Sequence, residues 1–316
     1  MDHKDCFGIG QVVTGCEQPG MECDSSELAT TSLKTRFDAF SDQRIHYVNE
    51  KSGASWRAAR STRFNSVEHM KQHLGALVET PEQRKSRRPT VRYQVSDRDL
   101  PESFDARKQW PNCSSISEIR DQSGCAASWA FGAVGAISDR VCIHSNGQMK
   151  PHLSARDLVS CCDVSWDYWK SNGIVNGGSF EEPTGCAPYP FPKCDHYIPS
   201  TELKPCPRKA YPSPSCQRKC QVGYNKTYDE DTFYGASSYN VHKDEKDIMY
   251  KIMKNGPVEA TFLLFVDFMY YKSGIYHTVK KEYFGRLSLL NHHGNKLAHV
   301  VTRKTWFHGF VGLRTS

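Results

Sequence analysis

The stretch RDQSGCAASWAFGA, residues 120–133, decides the fold of this 316-residue chain. After Ser128, apolar residues recur at helical spacing and no proline follows until Pro151. The apolar positions are Ala130, Phe131, Ala133, Val134, Ile137 and Val141. This spacing predicts a buried helix that begins near Ser128. Serine is also a good N-cap, because its hydroxyl accepts a hydrogen bond from a first-turn amide, so Ser128 could simply cap this helix.

Composition narrows the classes of partner. The chain has a mass of 35.9 kDa, a hydrophobic content of 38% and a mean hydropathy of −0.62. No apolar stretch approaches the length that spans a bilayer. The net charge of +6 arises from basic residues interspersed with acidic ones, without a basic stripe of the kind that follows nucleic acid. We therefore expect neither a membrane anchor nor a nucleic-acid partner.

Thirteen cysteines are many for a chain of this length and favour an oxidising compartment. No Cys/His group has convincing zinc spacing, so we expect disulfides and no metal or other cofactor. Glycosylation sequons at residues 112–114 and 225–227 agree with passage through the secretory pathway. The polar stretch Met1–Gly20 points the other way, because it shows no signal peptide.

Further elements follow from local patterns. Ser154 precedes a helical pattern and is expected to cap it. A helix is also predicted over Glu245–Lys254, with extended segments at 239–241 and 258–264. Residues 186–220 are rich in proline and cysteine, so this part of the chain needs crosslinks to hold it.

Three segments together carry a family resemblance. The stretch 120–133, the run NGPVEA at 255–260 and the run YKSGIY at 271–276 resemble, in the same order, segments of papain-like cysteine peptidases. The chain resembles a cathepsin B-type zymogen, close to the forms of parasitic flatworms. The resemblance implies an α+β fold of two lobes, one helical and one a β-barrel, preceded by a helical propeptide. Because the sequence departs from that of the family after Gly285, the barrel lobe is expected to be truncated.

The resemblance also divides the chain. Residues 1–39 are unassigned, 40–99 are the propeptide and a basic linker, 100–285 are the peptidase domain, and 286–316 are a divergent tail. In this family the propeptide crosses the active-site cleft, and Trp56 and Phe64 occupy its anchor positions. The linker Arg84–Pro89 has the composition of an exposed, flexible segment, so we expect a maturation cut between Arg88 and Leu100.

Four site residues carry over from the family. They are Gln122 in the oxyanion hole, Ser128 at the nucleophile position, and Trp129 and His196 in substrate binding. His196 matches the first of two adjacent histidines in the occluding loop, and the second position is Tyr197, which puts dipeptidase activity in doubt.

Ser128 stands where the family has a cysteine. A thiol ionises readily at a helix N-terminus beside an imidazole, whereas an alcohol needs a base during attack. The catalytic-histidine position is Leu287, and no Asn-Ser-Trp follows it. Nothing in the sequence places His292, His293 or His299 near the nucleophile. We therefore expect severe loss of hydrolysis.

The resemblance implies four disulfides. They are Cys113 with Cys142, Cys161 with Cys216, Cys186 with Cys220, and Cys194 with Cys206. A glycine-rich loop that should follow Cys162 is missing before Trp166. As a result, Cys125 and Cys162 either pair with each other or stay free.

The implied function is a cathepsin B-like cysteine peptidase, an endopeptidase or dipeptidyl carboxypeptidase that forms a covalent acyl-enzyme. Peptides or proteins would be its substrates and cystatin-like inhibitors its binding partners. The family is lysosomal or secreted, and a monomer is expected. This chain is predicted to be impaired or inactive. The alternatives are a non-catalytic decoy that binds peptides or inhibitors, and an aberrant gene product.

Overall fold

The computed structural model describes residues 41–60, 88–161, 165–195, 203–207, 209–242, 244–274, 276–279, 283–290 and 300–302. The α-helices are α1 (Asp42–His46), α2 (Ala106–Gln109), α3 (Ser128–His144), α4 (Ala155–Cys161), α5 (Ser165–Ser171) and α6 (Glu245–Asn255). The strands are β1 (Trp56–Ala58), β2 (Thr90–Val91), β3 (Ser103–Asp105), β4 (Asn240–Val241), β5 (Glu259–Phe265), β6 (Tyr271–Gly274), β7 (Tyr283–Leu290) and β8 (Val300–Thr302). Short helical turns span Tyr47–Lys51, Asp97–Asp99, Ser114–Ser117 and Val266–Tyr270.

Helix α3 is the centre of the core. It is buried on nearly all sides, as the spacing of its apolar residues predicts. Trp129, Val134 and Ile137 pack with Leu158 of α4 and Trp169 of α5 in the largest apolar cluster. The predicted cap of α4 is confirmed, because the Ser154 hydroxyl accepts a hydrogen bond of 3.0 Å from the Asp157 amide.

The strands pair two by two in the described part of the chain. Strand β1 pairs with β6, β3 with β8 and β5 with β7, all antiparallel, whereas β2 and β4 are parallel. The mixed helix and sheet content agrees with the predicted α+β class. Among the described residues, these pairs do not close into a barrel.

The N-terminal segment of the described chain combines helix with strand. Helix α1 and the π-helical turn Tyr47–Lys51 lead into β1, where Trp56 is 1% exposed. Trp56 and Val48 pack in one cluster with Phe268 and Tyr271. The expected helical segment is therefore only partly helical, because β6 offers an edge on which residues 56–58 extend. Phe64, the second expected anchor, lies outside the described residues.

All four disulfides implied by the resemblance are present: Cys113–Cys142, Cys161–Cys216, Cys186–Cys220 and Cys194–Cys206. Three of them involve the proline-rich stretch 186–220, which has little regular structure of its own. Crosslinks of this kind limit the conformational freedom of the unfolded chain and so stabilise the folded one. Cys125 is also disulfide-bonded, which excludes the free-thiol alternative for this residue. Cys162 lies outside the described residues.

The linker 84–89 was expected to be exposed, but near its C-terminal end Arg88 is buried. The residue is 7% exposed, and its guanidinium lies 3.8 Å from the carboxylate of Asp167. Burial of an arginine requires a partner charge, and Asp167 supplies it. Composition alone does not reveal such a pairing.

Candidate functional site

A tight loop delivers the chain to the start of α3. The Asp121 carboxylate accepts a hydrogen bond of 2.6 Å from the Ser123 amide. Ser123 has a φ of 56°, a conformation in which a short polar residue is tolerated. A methyl group added at Gly124 would lie 2.6 Å from the Pro207 side chain, so only glycine fits there. The loop is therefore fixed by both its own turn and a distant segment.

Gln122 is held from the proline-rich stretch. The buried hydroxyl of Tyr189 donates a hydrogen bond of 2.9 Å to the Gln122 carbonyl oxygen. The Tyr189 ring meets Phe131 of α3 edge-on at 4.9 Å. Burial, together with the nearby Asp121 charge, raises the pKa of Tyr189, so the hydroxyl stays a donor. Sequence reasoning missed this residue. Its signal was the run YPFP at 189–192, in which aromatic residues alternate with prolines.

Ser128 is the first residue of α3 and not its cap. The N-cap is Ala127, which makes no side-chain capping bond. The Ser128 side chain is 1% exposed, and its Oγ makes no hydrogen bond with any described residue. The capping interpretation is therefore wrong here. An attacking hydroxyl has to pass its proton to a nearby base, and none of the described residues accepts a hydrogen bond from this one.

The other residues predicted for the site are only partly among those that the structure describes. Trp129 is buried in the core cluster around α3. Leu287, at the histidine position, lies in β7 and pairs with Phe262 of β5. Strand β7 packs against α3, the helix that begins at Ser128. Position 287 and Ser128 therefore lie in neighbouring elements of the fold. His196 lies outside the described residues, and so do the tail histidines at positions 292, 293 and 299.

A partly buried charged network lies just before the loop in sequence. Glu118 accepts a hydrogen bond from His152 at 2.5 Å and pairs with Arg120 at 3.3 Å. Burial raises the pKa of Glu118, but the His152 hydrogen bond and the Arg120 charge outweigh it and hold the pKa below its usual value. Arg120 also donates to the Leu153 carbonyl oxygen at 2.7 Å. This network ties the approach to Gln122 to the segment that precedes α4.

Asp139 of α3 belongs to the same network. Its carboxylate accepts a hydrogen bond of 2.6 Å from Ser115, and the side chain is fully buried. Burial raises the pKa of Asp139 to about 7, although the Ser115 hydrogen bond and the Arg120 charge oppose the shift. Between about pH 4 and about pH 7, this raised pKa means that the folded protein holds a proton here that the unfolded chain has lost.

Stability should fall with rising pH because of Asp139. A raised pKa in the folded state stabilises the protein below the unfolded value of 3.8, and this contribution disappears as the pH passes about 7. Relative to Asp139→Asn, the wild-type free energy of unfolding should fall from about pH 4 to about pH 7, by at most about 1.4 kcal/mol per pH unit. Urea unfolding across this range measures it. Parallel profiles for the two proteins would contradict the assignment.

The described residues offer neither a metal-binding cluster nor a membrane-spanning helix. No group of three or more His, Cys, Asp or Glu side chains is arranged there to hold a metal ion. The helices in this part of the chain are too short or too polar to cross a membrane.

Known proteins share this architecture and sequence. The model of the papain family cysteine protease domain matches residues 100–294. A cathepsin B-like cysteine proteinase of Schistosoma japonicum is 46% identical over 268 residues, which cover 81% of this chain and 78% of that protein. Cathepsin B-like cysteine proteinase 6 of Caenorhabditis elegans is 42% identical, over 75% of this chain and 67% of that protein.

A solved structure agrees with these matches. Procathepsin B S9 from Trypanosoma congolense superposes with a TM-score of 0.63 at 28% identity. The superposition covers 80% of this chain and 82% of that one. The similarity therefore includes a proform and extends well beyond the segments that carry the active-site sequence.

Proposed function

This chain belongs to the papain family of cysteine proteases as a cathepsin B-like member, and we propose that it no longer hydrolyses peptides. The observation that carries the proposal is the state of Ser128. This residue occupies the nucleophile position at the start of α3, and its buried hydroxyl has no hydrogen-bond acceptor among the described residues. Among the described residues, the nucleophile position thus holds an alcohol without the base that an alcohol requires.

A residue of strand β7, which pairs with β5, supports the same proposal. The histidine position of the family falls on Leu287, and an apolar side chain cannot serve as general acid or base. Loss of the thiol and loss of the imidazole each remove an essential part of the same machinery. Effects of groups that act as a unit are not additive, so either loss is enough for near-complete inactivation.

Hydrolysis of a dipeptidyl fluorogenic substrate tests the proposal. We expect the purified full chain, before and after N-terminal trimming, to show the same background rate as its Ser128→Ala variant. This variant is the matched control, because it removes only one oxygen at the nucleophile position. Hydrolysis that disappears in Ser128→Ala, or an acyl adduct on residue 128, would overturn the proposal.

A silent peptidase can still bind, and this is the second candidate function. The loop that carries Gln122 is fixed by Tyr189 and by the packing of Gly124 on Pro207, so its shape does not depend on catalysis. We propose peptides and cystatin-like inhibitors as partners of a monomeric protein. Light scattering with and without a cystatin should show a one-to-one complex that is not turned over. Failure to bind would remove this candidate.

For localisation we propose a lysosomal or secreted protein, as for the family. The disulfides favour an oxidising compartment. Asn225 is exposed in a turn, and Asn112 is exposed beside the disulfide of Cys113. In secreting cells we expect Asn225 to carry a glycan, so that Asn225→Gln lowers the mass and removes sensitivity to a glycosidase. An unmodified Asn225 in protein recovered from such cells would contradict this expectation.

A further inference from the structure

The segment that joins the N-terminal region to the peptidase domain is bound along its length. Val91, Tyr93 and Val95 are half-buried, whereas Arg92 and Gln94 between them are exposed. This alternation is that of an extended strand with one face against a surface. The arm, defined as residues 88–95, therefore resembles a docked peptide more than a loose linker.

Backbone hydrogen bonds hold the first part of the arm. Thr90 and Val91 pair in parallel with β4. The Asn240 amide donates to the Pro89 carbonyl oxygen at 2.9 Å, and the His242 amide donates to the Val91 carbonyl oxygen at 3.0 Å. This is strand addition, in which backbone bonds supply affinity and alternate side chains supply specificity.

Side-chain contacts fix both ends of the arm. Arg88 pairs with Asp167 of α5, and the Asp167 carboxylate also accepts a 2.6 Å hydrogen bond from Ser238. At the other end the Tyr93 amide donates to the buried Asp247 carboxylate at 2.8 Å. The partners of the arm thus come from α5, β4 and α6.

The aromatic ring of Tyr93 adds a second kind of contact. It lies 5.1 Å from the ring of Tyr250, and the ammonium of Lys251 lies 5.8 Å from its centroid. Lys251 is itself buried and sits 4.3 Å from the Tyr239 ring, so its charge is balanced by two aromatic faces. Beyond Tyr93, Val95 packs against the cluster that contains Leu100 and Ile252. A sequence of the form Arg-Pro-x-Val-x-Tyr-x-Val satisfies all of these positions.

We propose that α5, β4 and α6 form a second peptide-binding site, apart from the segment around Gln122 and Ser128, with the arm as its lasting occupant. Trimming of the N-terminal region then stops before Arg88, and the arm stays on the domain. This replaces the expected cut between Arg88 and Leu100. The proposal is independent of the loss of hydrolysis, because none of its steps uses Ser128.

Limited trypsin digestion of the full chain tests the site. The amide nitrogen of the Arg92–Tyr93 peptide bond is hydrogen-bonded, and so is the carbonyl oxygen of the preceding Val91. Tyr93→Ala should speed the cut at Arg92 at least about tenfold, the equivalent of about 1.4 kcal/mol of docking. Gln94→Ala, at an exposed neighbour, is the matched control and should leave the rate unchanged. Equal rates in all three proteins would overturn the proposal.

Two readouts on the wild-type chain keep the proposal falsifiable if Tyr93→Ala fails to fold. Mass spectrometry of the stable tryptic product should place its N-terminus at Arg88 or earlier, and a product that begins at Tyr93 or later would refute the lasting arm. Hydrogen exchange of the full chain should show slow exchange at the Tyr93 amide. Exchange there at the rate of an unstructured peptide would refute the docking.

Discussion

Supplying the thiol and the imidazole of the family, with Ser128→Cys and Leu287→His in one chain, should raise peptide hydrolysis at least about a hundredfold over Ser128→Cys alone. A thiol at the start of α3 benefits from the positive end of the helix dipole. It still needs an imidazole to take its proton and later to protonate the leaving amine. We therefore expect the single variant Ser128→Cys to stay near the wild-type background. Hydrolysis of a fluorogenic peptide by the trimmed wild-type, single-variant and double-variant proteins measures these rates.

The neighbouring position offers a matched control. Successive residues of a strand point to opposite faces, so Ser288→His adds the same imidazole to β7 on the other face. Ser128→Cys with Ser288→His should therefore give no gain. If Ser128→Cys alone restored strong hydrolysis, a base would be present elsewhere, and the proposed cause of inactivity would be wrong.

Local patterns predicted the helices well, because their causes are local. Apolar spacing located α3, and Ser154 is the cap of α4 as predicted. Ser128 shows the limit of this reasoning. It is the same residue type before a similar helix, yet Ala127 is the N-cap. The disulfide-bonded Cys125 and the packing of Gly124 on Pro207 set the path of the preceding loop, and helix propensity does not record either constraint.

Contacts between distant segments explain what the sequence did not predict. From the sequence, Arg88 is predicted to be part of a solvated basic run. Its partner Asp167 lies far along the chain, and only the fold brings the two residues together. The same holds for Tyr189 beneath the Gln122 carbonyl and for Asp139 beside Ser115. In each case a polar group is buried because a partner far along the chain satisfies it. The site residues that carried over from the family were identified by motif, whereas the groups that hold them in place were not.

Trp56→Ala should release the N-terminal segment from the domain, with a loss of about 3–5 kcal/mol in its docking free energy. Trp56 is almost fully buried between the rings of Tyr271 and Tyr276, and its indole N–H donates to the His277 carbonyl oxygen at 2.9 Å. Truncation to alanine removes the ring contacts and this hydrogen bond. Hydrogen exchange at the Ala59 amide, which is bonded to the Tyr270 carbonyl oxygen, reports the opening of this segment.

Tyr47→Ala provides the comparison for that loss, because Tyr47 lies in the same segment but is 38% exposed. A surface substitution of this kind should change the opening free energy by no more than about 0.5 kcal/mol. The contrast separates anchoring by one buried ring from a general weakening of the segment. Similar exchange rates in the two variants would mean that the segment is held by its backbone pairing with β6, and that Trp56 contributes little.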